Sequence, residues 1–480
     1  MFLKKNLIKI NDYLWEIPTS YKPGMKVPAR IYASEKMLEE IFRDQSLEQL
    51  INLSSLKGIE KYGLAMPDCH EGYASPIGGV AGIRISDGII SPGMTGYDIN
   101  CGMKLMTSDL TEDKIKPYLE KLATEICKQV PSGLGKGRQI KLSMPELDKI
   151  LEKGAERLLE LGYLEKEDII NCEAQGSLKW ADSQTVSYLA KKRGEDQVGT
   201  LGSGNHFTEV QKVKEIYDEK VAEVFGLFKN QVVIMIHTGS RGLGHQVATD
   251  YIKEFMGLMT KYQIEVPDRE FACVPFNSPE GQRYFRAMAA AANYAWANRG
   301  MIACYIRKAW QNTIGFKSTL QILYDVAHNI IKKEKYLING KETELAVHRK
   351  GATRAFPAGH PEIPEKYQKV GQPVLIPGSM GTASYVLVGT QKAEESFYST
   401  CHGSGRRMSR HQATRSFSPQ ELIKNLEAKG IVAKCSSYKG LVEEAPEAYK
   451  NIDEVVEVVH NAGLSKKVAK LVPLAVIKGE

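Results

Sequence analysis

Two apolar, β-branched runs of this chain each end on a histidine: Val232-Val-Ile-Met-Ile-His237, followed by Thr-Gly-Ser-Arg-Gly, and Leu320-Gln-Ile-Leu-Tyr-Asp-Val-Ala-His328, followed by Asn329. Runs of this kind are strands, and their polar ends beside glycine turns are where a metal or phosphate site is built. Three further segments set a coordinating or nucleophilic side chain among glycines: Gly96-Tyr97-Asp98-Ile-Asn-Cys101-Gly102, Gly202-Ser-Gly204-Asn205-His206-Phe207-Thr208-Glu209, and Cys401-His402-Gly403-Ser404-Gly405-Arg406-Arg407. Glycine permits the backbone conformations in which consecutive N–H groups converge on an anion. Together the motifs point to metal-assisted phosphoryl or nucleotidyl transfer.

The motifs span from about residue 93 to 405 of 480. One site drawing on all of them needs the whole length folded together, so a single large catalytic domain over residues 1–480 is expected, although length alone would allow about three. No Pro/Ser-rich linker, low-complexity stretch or solenoid repeat argues otherwise. Helical periodicity covers 113–129, 145–162, 280–310 and 419–428, and strand-like runs cover 231–237, 319–327, 373–377, 384–388 and 471–477. These do not alternate in a βαβ rhythm, and no dinucleotide fingerprint is followed by an acidic residue at the right distance. The expected class is α+β.

Composition narrows the setting. Charged residues at 25% and hydrophobic residues at 42% suit a soluble globular protein. No apolar run approaches the roughly 20 residues of a membrane span, and Ala287–Ala297 reads as a buried helix. The N-terminal residues lack a signal-peptide pattern. Eight cysteines without a Cys-x-x-Cys pair argue against a disulfide framework. A cytoplasmic location with reduced thiols is expected, leaving Cys101 free to be a ligand. A net charge of +7 with pI near 8.7 suits a polyanionic partner.

Asp98 and Cys101, three apart in a glycine-framed turn, can face one ion. A carboxylate and a thiolate combined with histidines suit Mn²⁺, Co²⁺ or Zn²⁺ better than Mg²⁺ or Ca²⁺, and a thiolate can bridge two ions. His206, His237 and His328 each adjoin a glycine turn or an amide, and their joint occurrence outweighs the plain reading of each as a satisfied polar residue. His70, in Met66-Pro-Asp68-Cys-His70, reads as orienting ligands or substrate. His245, His348, His360, His411 and His460 read as structural or surface residues. His402 has Arg406, Arg407 and Arg410 nearby, so its imidazole can attack an activated phosphorus and hold the nucleotidyl group as a phosphoramidate; the plainer alternative is an RNA-contacting or capping histidine. Arg241, beside His237, can take a phosphate oxygen. The glycine/serine loop from Ile376 to Ser384 is weak evidence by itself. Lys191-Lys192-Arg193 and His348-Arg349-Lys350 are solvated faces or, with an RNA partner, backbone contacts.

These motifs, in this order and with Pro377-Gly-Ser-Met-Gly-Thr and a terminal Lys-Gly, resemble the RtcB-type RNA ligases over essentially the full length. The resemblance implies a single compact α+β domain of that type, with mixed sheets flanked by helices. It implies joining of an RNA 2′,3′-cyclic phosphate or 3′-phosphate end to a 5′-hydroxyl end, dependent on GTP and two Mn²⁺ ions, through guanylylated His402 and an RNA-3′-pp-5′-G intermediate, as in tRNA splicing and RNA repair. Asp98, Cys101 and His206 would hold one ion, and Cys101, His237 and His328 the other. Guanylate contacts would come from Asn205, His206, Phe207, Thr208, Glu209, His328, Asn329, Pro377, Gly378, Ser379, Met380, Ser384, His402, Gly403, Ser404, Gly405 and Lys478. Glu209 and Lys478 would read the guanine edge and Tyr449 would stack on the base. Arg241, Lys350, Arg406 and Arg410 would meet the RNA backbone or terminal phosphate. A monomer, no membrane contact and an archease-like activator are further expectations. The chain runs one residue, Glu480, past the expected Lys-Gly end. Two alternatives remain on the residues alone: a dinuclear-metal phosphoesterase acting on RNA ends, with the same five ligands and no covalent histidine, and a non-catalytic RNA-binding factor with a structural metal.

Overall fold

The strand that ends on His237, Gln231–Thr238, is buried at every position and sits inside an eight-stranded sheet. The computed structural model describes residues 6–132, 140, 142–435 and 438–479, so Glu480 and the first five residues lie outside them. In this sheet the order is Gln321–Ala327, Gly102–Thr111, Gln231–Thr238, Phe207–Ile216, Ser465–Lys478, Ser384–Gly389 and Pro373–Ile376, all antiparallel, with Val432–Cys435 added parallel to Ser465–Lys478. The first and last strands of that order touch, so the sheet curls toward a barrel. A seven-stranded sheet pairs Ile8–Asn11, Leu14–Ile17, Ala29–Tyr32, Ile59–His70, Ile77–Arg84, Lys341–Lys350 and Asn329–Ile338. The chain is one large α+β domain of mixed sheets flanked by helices. Among the described residues, no helix is long and apolar enough to cross a membrane.

The predicted helices form, with breaks where the backbone demands them. The 113–129 segment becomes Glu112–Ile115, a 3₁₀ turn with Pro117 in it, and Leu119–Gln129. The 145–162 segment becomes Met144–Lys153 and Ala155–Glu160, divided at Gly154, whose φ of +62° no helical residue adopts. The 419–428 segment is Pro419–Ala428. The alanine-rich run lies inside Pro279–Ile314, a 36-residue helix whose middle is buried all round. A helix apolar on every side belongs in a core, and small alanines let the sheets close on it.

Its polar residues brace the loops above it. Asn298 accepts N–H bonds from Gly199 and Thr200 at 2.8 and 3.0 Å and donates to the Gly239 carbonyl at 3.0 Å. Arg299, fully buried, donates to the carbonyls of Asn100 and Thr238 at 2.7 and 2.9 Å and pairs with Asp325 at 2.9 Å, beside Lys104 at 3.3 Å. Removing one member of a buried pair leaves an uncompensated charge, at about 3–5 kcal/mol. Arg299→Met is therefore expected to destabilise the protein by about 3 kcal/mol, the lower end because Lys104 stays beside Asp325. The urea midpoint checks this, and an unchanged midpoint would contradict the bracing role.

Candidate metal and nucleotide site

Neighbouring antiparallel strands bring their ends alternately to one rim. Along the consecutive strands of the curled sheet, this rim carries His328 just past Ala327, Cys101 just before Gly102, His237 next to the end at Thr238, and His206 just before Phe207. His237 pairs in register with Met103 and with Phe207, which locks those positions side by side. His328 is also the single residue between the last strand of one sheet and the first of the other. Lys478 pairs with Phe207 and so lies on the same rim, while Ser384 sits further back, opposite Leu471. Residues hundreds of positions apart meet here because each ends or begins a strand.

Cys101 Sγ lies 3.3 Å from Nε2 of His206 and 3.3 Å from Nε2 of His237, and the His237 and His328 Nε2 atoms are 3.4 Å apart. His206 Nε2 is 3.0 Å from an Asp98 oxygen. Two groups of donors result, Cys101 with His237 and His328, and Asp98 with Cys101 and His206, each with its ligand atoms within 4.8 Å of one another. Burial, reinforced by neighbouring imidazoles, holds His237 and His328 well below the ordinary histidine pKa, so both present lone pairs. Burial and then Asp98 push the Cys101 thiol well up, and a cation placed among these atoms would deprotonate it. Neutral imidazoles, a thiol and a carboxylate converging with few alternative partners fit a pair of borderline divalent ions. Ser240 donates its N–H to Asp98 at 2.9 Å, and a Cβ on Gly239 would run into that carboxylate.

His402 follows the short strand Ser399–Cys401. Its ring centroid is 4.9 Å from that of His328. Nδ1 lies 2.6 Å from Asp68 Oδ2, and the same oxygen accepts the backbone N–H groups of His402 and Gly403 at 2.9 and 3.2 Å. Burial alone would raise the Asp68 pKa; His402, by charge and hydrogen bonding, outweighs it and holds the carboxyl below its ordinary value. Gly405, at φ +72°, passes so close to the Asp68 carbonyl that no side chain fits. With Nδ1 turned to Asp68, Nε2 is the nitrogen left to react.

A cavity of about 780 Å³ holds all of this. Of the sequence-predicted residues, Asp98, Cys101, Asn205, His206, His237, His328, Asn329, Pro377, His402, Gly403, Ser404, Gly405 and Tyr449 line it, as do Arg241, Lys350, Arg406 and Arg410. Phe207, Thr208, Glu209, Gly378, Ser379, Met380, Ser384 and Lys478 do not reach its wall and are buried behind it. Met380 packs in an apolar cluster with Leu422 and Leu426. Gln211 donates to Glu209 at 2.7 Å and to Ser384 at 3.0 Å, while Glu209 Oε1 has no hydrogen-bond partner among the described residues and burial pushes this carboxyl up to about 8. Lys478 donates to the Gly204 carbonyl at 3.0 Å.

The basic residues differ in freedom. Lys350 is wrapped by the carbonyls of Tyr73, Ser75 and Gly93, and burial lowers its pKa to about 7. Arg406 bonds Glu444, the Glu443 carbonyl and the Tyr449 hydroxyl, and its guanidinium lies 5.0 Å from the Tyr449 ring centroid, so part of that ring is already covered. Arg410 is 58% exposed, with Glu444 at 3.7 Å, and Arg241 donates to Thr200 at 3.1 Å. These two are less engaged by neighbouring groups than Lys350 and Arg406.

Asp68 carries little signal in the sequence, only a carboxylate two residues before His70 in a strand. His70 lines the cavity with Nδ1 2.9 Å from the Asp68 carbonyl. His245, expected to be structural or surface, is exposed, yet it lines the cavity, because its helix, Arg241–Leu258, starts four residues after His237. His348 is buried on the Ala346 carbonyl, His360 stacks on Phe356, His460 accepts the Lys467 N–H, and His411 is exposed.

The family model described as "tRNA-splicing ligase RtcB" matches residues 49–479. Similar proteins include the tRNA-splicing ligase RtcB of Archaeoglobus fulgidus, 52% identical over 98% of this chain and 99% of that protein. Those of Aeropyrum pernix and Nanoarchaeum equitans are each 51% identical over the same shares of both chains.

Proposed function

This chain belongs to the RtcB family, and we propose that it is a GTP- and Mn²⁺-dependent RNA ligase joining 2′,3′-cyclic phosphate or 3′-phosphate ends to 5′-hydroxyl ends. The observation that carries the reading is one thiol shared by two sets of donors, with the ring of a carboxylate-oriented histidine 4.9 Å from one of those donors. His402 Nε2 attacks the α-phosphorus of GTP; the bond to the bridging oxygen breaks and pyrophosphate leaves. The guanylylated imidazole is cationic, and the Asp68 carboxylate at Nδ1 stabilises it. An oxygen of the RNA 3′-phosphate then takes the GMP and returns the electron pair to Nε2. The 5′-hydroxyl, losing its proton, attacks the same RNA phosphate and expels GMP. A cyclic phosphate is opened by water beforehand. Two Mn²⁺ ions, held by Asp98, Cys101 and His206 and by Cys101, His237 and His328, would supply positive charge against the phosphoryl oxygens.

Arg241 and Arg410 are assigned to RNA phosphates, and Glu209 and Lys478, buried behind the cavity wall, to the guanine edge. The protein acts as a cytoplasmic monomer, and an archease-like activator would assist it.

Incubation with Mn²⁺ and GTP labelled at the α-phosphate tests this. Label that stays on the denatured protein in base and is lost in acid is expected, with transfer to an RNA 3′-phosphate. Hydrolysis of a model phosphodiester without label would replace this reading by the phosphoesterase, and RNA binding with neither activity by the binding factor.

A further inference from the structure

Beside Asp98, the cavity wall turns aromatic. Tyr97 and His245 stack with ring centroids 4.8 Å apart and 25° between their planes, and Tyr73 meets Tyr97 at 5.5 Å and 56°. All three line the cavity and come from separate places: a loop after Ile59–His70, the turn before Cys101, and the helix Arg241–Leu258. Neither set of metal donors nor His402 uses these rings. Other stacked pairs among the described residues, such as His360 on Phe356 at 3.5 Å, lie away from the cavity.

The charges around the rings are selective. In the Lys191-Lys192-Arg193 run, Lys191 pairs with Asp148 and Lys192 with Glu195, whereas Arg193 donates to the neutral Gln246 amide oxygen at 2.8 Å and faces the cavity. Arg241 lies on the same wall. Aromatic faces flanked by guanidinium groups are how proteins hold unpaired nucleobases, because every base offers a π-face and every nucleotide a phosphate. Partial burial and then Arg193 keep His245 below its ordinary pKa, which favours the uncharged ring.

We propose that Tyr73, Tyr97 and His245 form a stacking platform for the terminal nucleobase of an RNA end, with Arg193 and Arg241 taking the adjoining phosphates; this rests on the RNA-joining reading above. Because Tyr97 directly precedes Asp98, a base on the platform brings its sugar-phosphate toward the metal donors. Such a platform is tolerant of base identity.

The test uses the full chain with Mn²⁺ and two short RNAs, one ending in a 3′-phosphate and one beginning with a 5′-hydroxyl, each with 2-aminopurine as the terminal base. Stacking on the platform quenches 2-aminopurine for the strand that uses it, and that strand is thereby identified. His245→Ala is expected to remove most of the quench and weaken binding of that RNA about 5- to 150-fold, the range of base–aromatic stacking. Tyr97→Phe, which keeps the ring, should retain both. No quench with either RNA, or equal affinity in His245→Ala, would overturn the proposal. GMP labelling of the wild-type protein is run in parallel: absent label with intact quench would sink the ligase reading and leave the platform standing.

Discussion

Cys101→Ala is expected to abolish RNA joining, with a loss of about 10³-fold or more, and to remove more than one equivalent of bound Mn²⁺. Its sulfur is the one atom common to both donor groups, so its removal opens both together. Replacing His328 or Asp98 strikes one group only. Ions at a phosphoryl centre contribute several kcal/mol of transition-state stabilisation, and each 1.36 kcal/mol is tenfold in rate, which sets the size of the loss. The fold should survive, because alanine is smaller and Cys101 is braced by its backbone: its carbonyl accepts the His328 N–H at 2.9 Å, and its own N–H donates to Asp98 at 3.1 Å. Metal analysis after dialysis checks the stoichiometry. Co²⁺ substitution checks the chemistry, since a thiolate ligand gives the wild-type protein a charge-transfer band that the variant lacks. Two retained equivalents in Cys101→Ala would exclude the shared ligand.

What the sequence made legible follows from where side chains sit on strands. Gln231–Thr238 is apolar from Val232 to Ile236, and Gln321–Ala327 is mostly apolar after Gln321, broken by Asp325, so His237 and His328 stand out at the ends of these runs. The strands between and beside them were not legible. Gly102–Thr111 carries the buried Lys104, whose charge is met by Asp325 from the neighbouring strand, and Phe207–Ile216 carries the buried Glu209 and Gln211. A polar residue whose partner lies far off in sequence looks like solvent-facing polarity until the sheet is assembled. Ile59–His70 is harder still: register shifts fall between Glu60 and Gly63 and between Ala65 and His70, and Lys61 has φ +56°. Bulges of that kind erase the two-residue alternation, and Asp68 was hidden with them. The cysteine, aspartate and histidines that converge at the rim were readable as candidate metal donors, because their residue types announce that chemistry. Asp68, Tyr97 and His245 were not readable, because their roles arise from the residues they face.

Asp68 also yields the sharpest comparison of two substitutions. Asp68→Ala removes the carboxylate that fixes the His402 tautomer and leaves the N–H groups of His402 and Gly403 without their acceptor. Losing an orienting carboxylate of this type lowers rates by about 10⁴. Asp68→Asn is expected to do less. In other sites an amide can turn its NH₂ toward the imidazole and impose the wrong tautomer; here two backbone donors converge on the Oδ2 position and select the amide oxygen for it. That oxygen keeps its place facing Nδ1, so Nε2 keeps its lone pair, and only the charge opposite the cation formed on the proposed guanylylation is lost. A hydrogen bond to a charged group contributes about 1.5–3 kcal/mol, so labelling by GTP should slow by roughly 10- to 150-fold in Asp68→Asn against about 10⁴ in Asp68→Ala. Single-turnover labelling of both variants measures the gap. Equal losses would mean that the amide presents nitrogen to His402, and that the two backbone N–H groups do not control the orientation of residue 68.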